Sequence, residues 1–134
     1  MPTNNRSQIQ YIGSTTLLVD CYNANPSSMR VSINNFVQLE KTGKIVILGD
    51  MLELGEESAL EHQLIVDMLI QENLKEVILI GENFCETKTP ISFFKYNTVE
   101  ELKGNLHQFD FENKLVLIKG SRGIRLEKVI ELIK

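Results

Sequence analysis

The chain has 134 residues, of which 43% are hydrophobic and 24% charged, with only 3 Pro and 8 Gly, so it is neither disordered, collagen-like nor coiled-coil. Its length fits one domain able to bury roughly two-thirds of its unfolded surface. A net charge of −4, from 14 Lys and Arg against 18 Asp and Glu, gives no electrostatic footprint for nucleic acid or an anionic membrane. No apolar run approaches the roughly 20 residues that cross a bilayer, and the polar start MPTNNRSQ lacks a signal-peptide pattern. Cys21 and Cys85 are too far apart for a CxxC motif or zinc knuckle, and with His62 and His107 as the only histidines no metal site is expected. The expectation is one soluble, cytoplasmic domain.

Along the chain the rhythm is strand then helix. Residues 8–12 and 15–20 are β-prone runs around Gly13-Ser14, which reads as a hairpin. The second run stops at a polar cluster, Asp20-Cys21-Tyr22-Asn23-Ala24-Asn25. Pro26 then opens a helix with Asn25 as its N-cap, and Met29, Ile33, Phe36, Val37 and Glu40 recur at helical spacing before Gly43. Residues 44–48 (KIVIL) form a short apolar run, as in a strand buried on both faces. A loop bounded by Gly49 and Gly55 follows. Ser58-Ala59-Leu60-Glu61 has the form of a capping box, with Leu60, Leu64, Met68 and Leu69 expected on the buried side of the helix behind it. Residues 76–80 (EVILI) predict another buried strand ending at Gly81-Glu82-Asn83-Phe84, and residues 92–96 one nearer the sheet edge. Thr98-Val99-Glu100-Glu101 offers a second capping box for a helix to about Phe109. Residues 114–118 (KLVLI) predict the last strand, and Gly120-Ser121-Arg122-Gly123 turns into a terminal helix.

Strands alternating with helices predict an α/β fold: a doubly wound, mostly parallel sheet of about six strands, with one antiparallel N-terminal strand and helices on both faces. Residues 1–14 read as an interdomain linker and edge strand, and 15–134 as the domain itself. In such sheets ligands bind beyond the carboxyl ends of the strands, near a switch in strand order. The loops there are DCYNANPSS, GDMLELGEES, GENF and KGSRG. Asn23, Asn25, Ser27 and Ser121 offer donors and acceptors for a polar ligand, and Lys119 and Arg122 add positive charge. Plainer readings stand beside these. Asn25 serves a helix start, Gly49 and Gly55 serve a turn, and Glu53, Glu56 and Glu57 suit a helix N-terminus. His62 is more often a surface or packing histidine than a base, Ser121 is as good a cap as a ligand, and solvation accounts for Arg122 and Arg125. There is no Walker phosphate loop, dinucleotide fingerprint or nucleophile elbow, so these loops look like half of an active site.

NNRSQ, DCYNANPSSM, LGDMLELGEES with the following EH, and KGSRG together resemble the C-terminal domain of the Mur ligase family, over essentially the whole chain from Asn5 onward. The resemblance points to members that add D-alanyl-D-alanine to UDP-N-acetylmuramoyl-tripeptide in the bacterial cytoplasm during peptidoglycan precursor synthesis. It implies a Rossmann-like fold and chemistry that uses ATP and Mg²⁺. A carboxylate is activated as an acyl phosphate, and the dipeptide amine displaces phosphate through a tetrahedral intermediate. In the family the phosphate loop, metal ligands and a carbamylated lysine belong to a central domain, an N-terminal domain binds the UDP-sugar peptide, and the C-terminal domain swings in to close the site.

By the same resemblance Arg6 reaches the nucleotide, Asp20 contacts its ribose, and Tyr22, Asn23 and Asn25 form the adjoining polar loop. Asn83, Lys119, Ser121 and Arg122 are implied to hold the incoming dipeptide. Gly49, Asp50, Glu53 and His62 match a motif of unassigned role. No catalytic or metal-binding residue is expected in this chain, and it is not expected to catalyse ligation alone. Two other classes share parts of this pattern. A phosphoacceptor receiver domain fails because the middle strand ends in Gly81-Glu82 with no acceptor aspartate. A stand-alone polar-ligand or nucleotide-binding α/β domain without catalysis remains the alternative.

Overall fold

The computed structural model describes residues 8–20 and 24–133. Within them β1 (Gln8–Ile12), β2 (Thr15–Asp20), α1 (Pro26–Gln38), β3 (Lys44–Gly49), α2 (Ser58–Gln71) and β4 (Glu76–Ile80) are followed by α3 (Glu82–Cys85), β5 (Phe94–Tyr96), α4 (Val99–Asn105), β6 (Leu115–Lys119) and α5 (Glu127–Ile133). The strands form one six-stranded sheet in the order β1-β2-β6-β3-β4-β5. β1 pairs antiparallel with β2, and every other pairing is parallel.

The central strands are apolar throughout because both of their faces are covered. Val46, Leu48, Val77, Leu79, Leu115 and Leu117 pack against Met29, Ile33 and Phe36 of α1, Ile65, Val66 and Leu69 of α2, and Phe84 of α3. The alternate residues Ile45, Ile47, Ile78, Ile80, Val116 and Ile118 pack against Val99 and Leu102 of α4 and Val129 and Ile130 of α5. The chain thus leaves β2, β3 and β4 towards one face, and β5 and β6 towards the other. β6 lies between β2 and β3 while its own connection departs on the opposite side. That arrangement opens the switch-point crevice at the carboxyl ends of these three strands. No helix among the described residues is long and apolar enough to cross a membrane.

Several local expectations hold and several shift. Asn25 caps α1 through a reciprocal box: its Oδ1 accepts from Ser28 N at 2.9 Å, and its own N–H donates to Ser28 Oγ at 3.0 Å. The helix stops at Gln38, so Glu40 lies beyond it. The box expected at Ser58 does not form. A 3₁₀ turn at Gly55–Glu57 already winds the chain, so Ser58 enters as a helical residue behind a Glu57 that makes no side-chain cap bond. The buried stripe of α2 is His62, Ile65, Val66 and Leu69, while Leu60 and Leu64 are 59% and 43% exposed and Met68 is half-buried. Both stripes have helical spacing, and docking on the sheet selected between them. Thr98 caps α4, but Glu101 Oε1 accepts from Asn97 N at 2.7 Å, one residue ahead of the cap. That helix gives way to a 3₁₀ turn at Leu106–Gln108. β5 is shorter than expected, and α3 was not anticipated at all.

The corrected face of α2 has a direct check by urea denaturation. Leu69→Ala should cost about 2–5 kcal/mol, whereas Leu60→Ala should stay within about 0.5 kcal/mol. Equal losses would restore the stripe that includes Leu60.

Candidate functional site

The residue following the end of β3, Asp50, organises the carboxyl edge. It is 3% exposed, yet its carboxylate is fully engaged. Oδ2 accepts from both Asn83 N and Asn83 Nδ2 at 2.9 Å, and Oδ1 accepts from Phe84 N at 3.0 Å. A carboxylate that takes backbone N–H groups at the first turn of a helix both satisfies orphan donors and favours the adjoining chain conformation. The backbone of Asp50 is tied on two further sides, since its N–H donates to Ile80 O at 3.0 Å and its carbonyl accepts from Ser121 N at 3.2 Å. One residue therefore binds the end of β3 to the β4–α3 turn and to the loop after β6.

His62 braces the same loop from beneath. It is completely buried. Its Nδ1 lies 2.7 Å from the carbonyl of Ser58, which can only accept, so Nδ1 carries the proton; Nε2 then accepts from Met51 N at 3.0 Å. Because Nε2 serves Met51, its 3.8 Å separation from Asp50 Oδ1 is a contact between two acceptors and not an ion pair. Phe84 stands edge-on to the ring at a centroid distance of 4.7 Å. His62 is a packing histidine, with both nitrogens committed.

Glycines make this close assembly possible. Gly81 has φ of 128°, and a Cβ there would collide with the Asp50 carboxylate. A Cβ on Gly120 would lie 2.9 Å from Gly49 Cα, so the ends of β3 and β6 touch through their backbones. Glu53 holds the left-handed conformation at φ 63° and is exposed in the turn before Gly55. The GDMLELG motif is accounted for as a framework: its residues set the positions of two neighbouring loops.

Beside this framework lies a second polar cluster. The register pairs Asp20 with Lys119 across β2 and β6, and both side chains fall on the α1 side of the sheet. Lys119 is 1% exposed, and its ammonium donates to Asp20 Oδ2 at 2.7 Å. Asp20 Oδ1 and Ser121 Oγ are buried and have no hydrogen-bond partner among the described residues. Buried polar atoms are satisfied in the great majority of cases, so two orphans at one sheet edge mark a place built for a polar group. Arg122 is exposed at the start of the 3₁₀ turn that Ser121 precedes. From Asp20 a cleft of about 240 Å³ runs along the flank of α1, walled by Ile9, Leu18, Asn35, Phe36 and Leu39. No motif announces that cleft, because its walls come from β1, β2, α1 and β6, four separate elements.

The structure thus gathers Asp20, Lys119, Ser121 and Arg122 at the switch point, with Asn25 at the nearby helix start. Asn83 stands with Asp50, one of its two side-chain N–H groups already donated. Arg6, Tyr22 and Asn23 lie outside the described residues. Nothing in the residue pattern alone marks Gly81, Gly120 and Phe84 as site-forming, although Gly81 directly follows an apolar run and Gly120 comes one residue after another ends, where a close backbone approach is common. Among the described residues no group of three His, Cys, Asp or Glu is placed to hold a metal ion.

A doubly wound domain with its polar residues gathered on the switch-point edge defines the class: a Rossmann-like α/β domain with a polar carboxyl edge. The family model described as "Mur ligase, glutamate ligase domain" matches residues 5–122, and the chain belongs to this Mur ligase C-terminal domain family. It is 33% identical to the UDP-N-acetylmuramoyl-tripeptide–D-alanyl-D-alanine ligase of Rickettsia prowazekii over 135 residues, covering 96% of this chain and 30% of that protein. It is 31% identical to the ligase of the same name from Treponema pallidum, covering 90% of this chain and 28% of the relative. Among solved structures, MurF from Acinetobacter baumannii superposes with a TM-score of 0.83 at 23% identity, covering 100% of this chain and 31% of its own. MurF from Thermotoga maritima in complex with ADP gives 0.80 at 24% identity, covering 98% and 30%. These superpositions show the fold. The chain spans about 30% of the length of the curated relatives it matches.

Two checks follow from the geometry. Asp50→Asn keeps the size but offers one acceptor where the loop needs more, so it should cost about 2–3 kcal/mol in urea denaturation. Gly81→Ala should cost about 2–4 kcal/mol from the collision and the positive φ. Neutral effects would mean that the loops hold without this carboxylate. Burial pushes the Cys85 thiol above its ordinary range, outweighing the attraction of Lys95. At pH 8 Cys85 is accordingly less ionised than free cysteine, and peptide mapping should find it alkylated more slowly by iodoacetamide.

Proposed function

We propose that this chain is the C-terminal, nucleotide-closing domain of an ATP-dependent cytoplasmic ligase that joins D-alanyl-D-alanine to UDP-N-acetylmuramoyl-tripeptide. The observation that carries the reading is the Asp20–Lys119 pair at the switch point, with Asp20 Oδ1 and Ser121 Oγ left buried and unpartnered, in a chain whose relatives bear that ligase name.

The residues fit a nucleotide and a dipeptide in different ways. A carboxylate oxygen without a donor suits a sugar hydroxyl, so Asp20 faces the ribose, with Arg6, Tyr22, Asn23 and Asn25 completing that side. Ser121 and Arg122 suit the dipeptide: the hydroxyl can donate to its carboxylate, and the guanidinium supplies the opposite charge. Asn83 keeps its amide oxygen and one amide N–H for a ligand, because its other amide N–H serves Asp50. A nucleotide held across this crevice would supply the phosphoryl group that activates the substrate carboxylate with release of ADP, and the dipeptide amine would then displace inorganic phosphate. This chain's own part is to orient the amine, exclude water as it closes, and supply fixed dipoles at the crevice. The phosphates and Mg²⁺ are held mainly by preceding domains, with residues 1–14 as the linker and edge strand that join them to residues 15–134. Gly49, Asp50, Glu53 and His62 keep the loop ends in register.

Nuclear magnetic resonance on the labelled chain tests the reading. Millimolar ADP should shift amides around Asp20, and D-alanyl-D-alanine those around Ser121 and Arg122, both weakly because much of the site lies elsewhere. The chain alone should form no ADP when given ATP, Mg²⁺, the UDP-linked tripeptide and the dipeptide. Sustained ligation, or an absence of shifts at this edge, would overturn the assignment.

A further inference from the structure

Lys119 ends β6 at 1% exposure, with its ammonium 2.7 Å from Asp20 Oδ2. Asp20 keeps 15% exposure, lines the cleft, and has one carboxylate oxygen with no hydrogen-bond partner among the described residues. The geometry is asymmetric: one oxygen is clamped from below by a buried cation, and the other is left over. At 1% exposure the Lys119 ammonium is turned to Asp20 and away from the open crevice, and drawing it out to a ligand would weaken a close ion pair. A direct contact with the dipeptide, implied for Lys119 by family resemblance, does not suit this burial.

We infer that Lys119 is a positioning residue that acts through Asp20. Its ammonium fixes Oδ2 and so sets the rotamer that presents Oδ1 to a ligand hydroxyl. The inference rests on the nucleotide reading of Asp20 and assigns Lys119 to the sugar side of the site instead of the dipeptide side. Lys119 thereby governs selectivity for a hydroxylated sugar without touching it.

The test uses the 134-residue chain and two probes, ADP and 2′,3′-dideoxy-ADP, compared by the initial slopes of their amide-shift titrations. That slope stays proportional to affinity when binding is weak. The unmodified chain should prefer ADP by about tenfold, the worth of one charge-assisted hydrogen bond. In K119M the preference should fall to near one, as in D20N, whereas S121A should retain it. K119Q, whose amide can still donate to Asp20, should recover part of the preference and replaces K119M if that variant does not fold. Retention of the preference in both Lys119 variants would overturn the inference. So would an equal loss of both probes, which is the mark of general structural damage. If ADP binds without preference over the dideoxy compound, the positioning role falls while the nucleotide reading stands. If ADP shifts nothing around Asp20, the nucleotide reading falls first and takes this inference with it.

Discussion

The constraint on which the rest depends is the insertion of β6 between β2 and β3. The last strand to form in sequence becomes a central strand in space, parallel to both neighbours and buried on both faces. Its register sets Lys119 opposite Asp20 on one side and Leu48 on the other. The carboxyl edge is thereby built from segments about a hundred residues apart. A slip of one residue would turn Lys119 to the opposite face of the sheet, away from Asp20. The apolar content of β2, β3 and β6 holds the register, because any other pairing would misplace two layers of core at once.

At that edge two carboxylates have opposite fates. Asp50 is saturated by three N–H groups and spends its charge on structure. Asp20 is half saturated, with a buried ammonium on one oxygen and no donor among the described residues on the other. Burial alone does not separate them; what does is the number of donors each environment supplies. A fully satisfied buried network rigidifies its surroundings, whereas a partly satisfied one carries an unmet demand that a ligand can answer. The rigid member supports the incomplete one through the Ser121–Asp50 backbone bond and the Gly49–Gly120 contact.

Much of this was legible beforehand. The βα rhythm, the hairpin, the Asn25 cap and the doubly wound class followed from strand-like apolar runs and from helix start signals whose physics is local. The loops that carry the site were identifiable because they follow those runs. The α2 stripe was misread because Leu60, Leu64 and Met68 have the same helical spacing as Ile65, Val66 and Leu69, and spacing does not say which of two apolar stripes meets a sheet. His62 was ambiguous for a related reason. A histidine joins the buried stripe only if both ring nitrogens find partners, and Ser58 O and Met51 N–H become partners only once the loop has folded over the helix.

The sequence by itself determined the main strands and helices, the two-sided burial of the central strands and the family, since each rests on local pattern or on contiguous motifs. Only the tertiary structure decided that Asp50 is a strut, that His62 is packing, that Lys119 faces Asp20, and that Ser121 Oγ and Asp20 Oδ1 find no partner among the described residues. Those roles depend on which donors meet which acceptors across distant segments. A residue's type fixes how many hydrogen bonds it can make, and the fold alone fixes how many it is given.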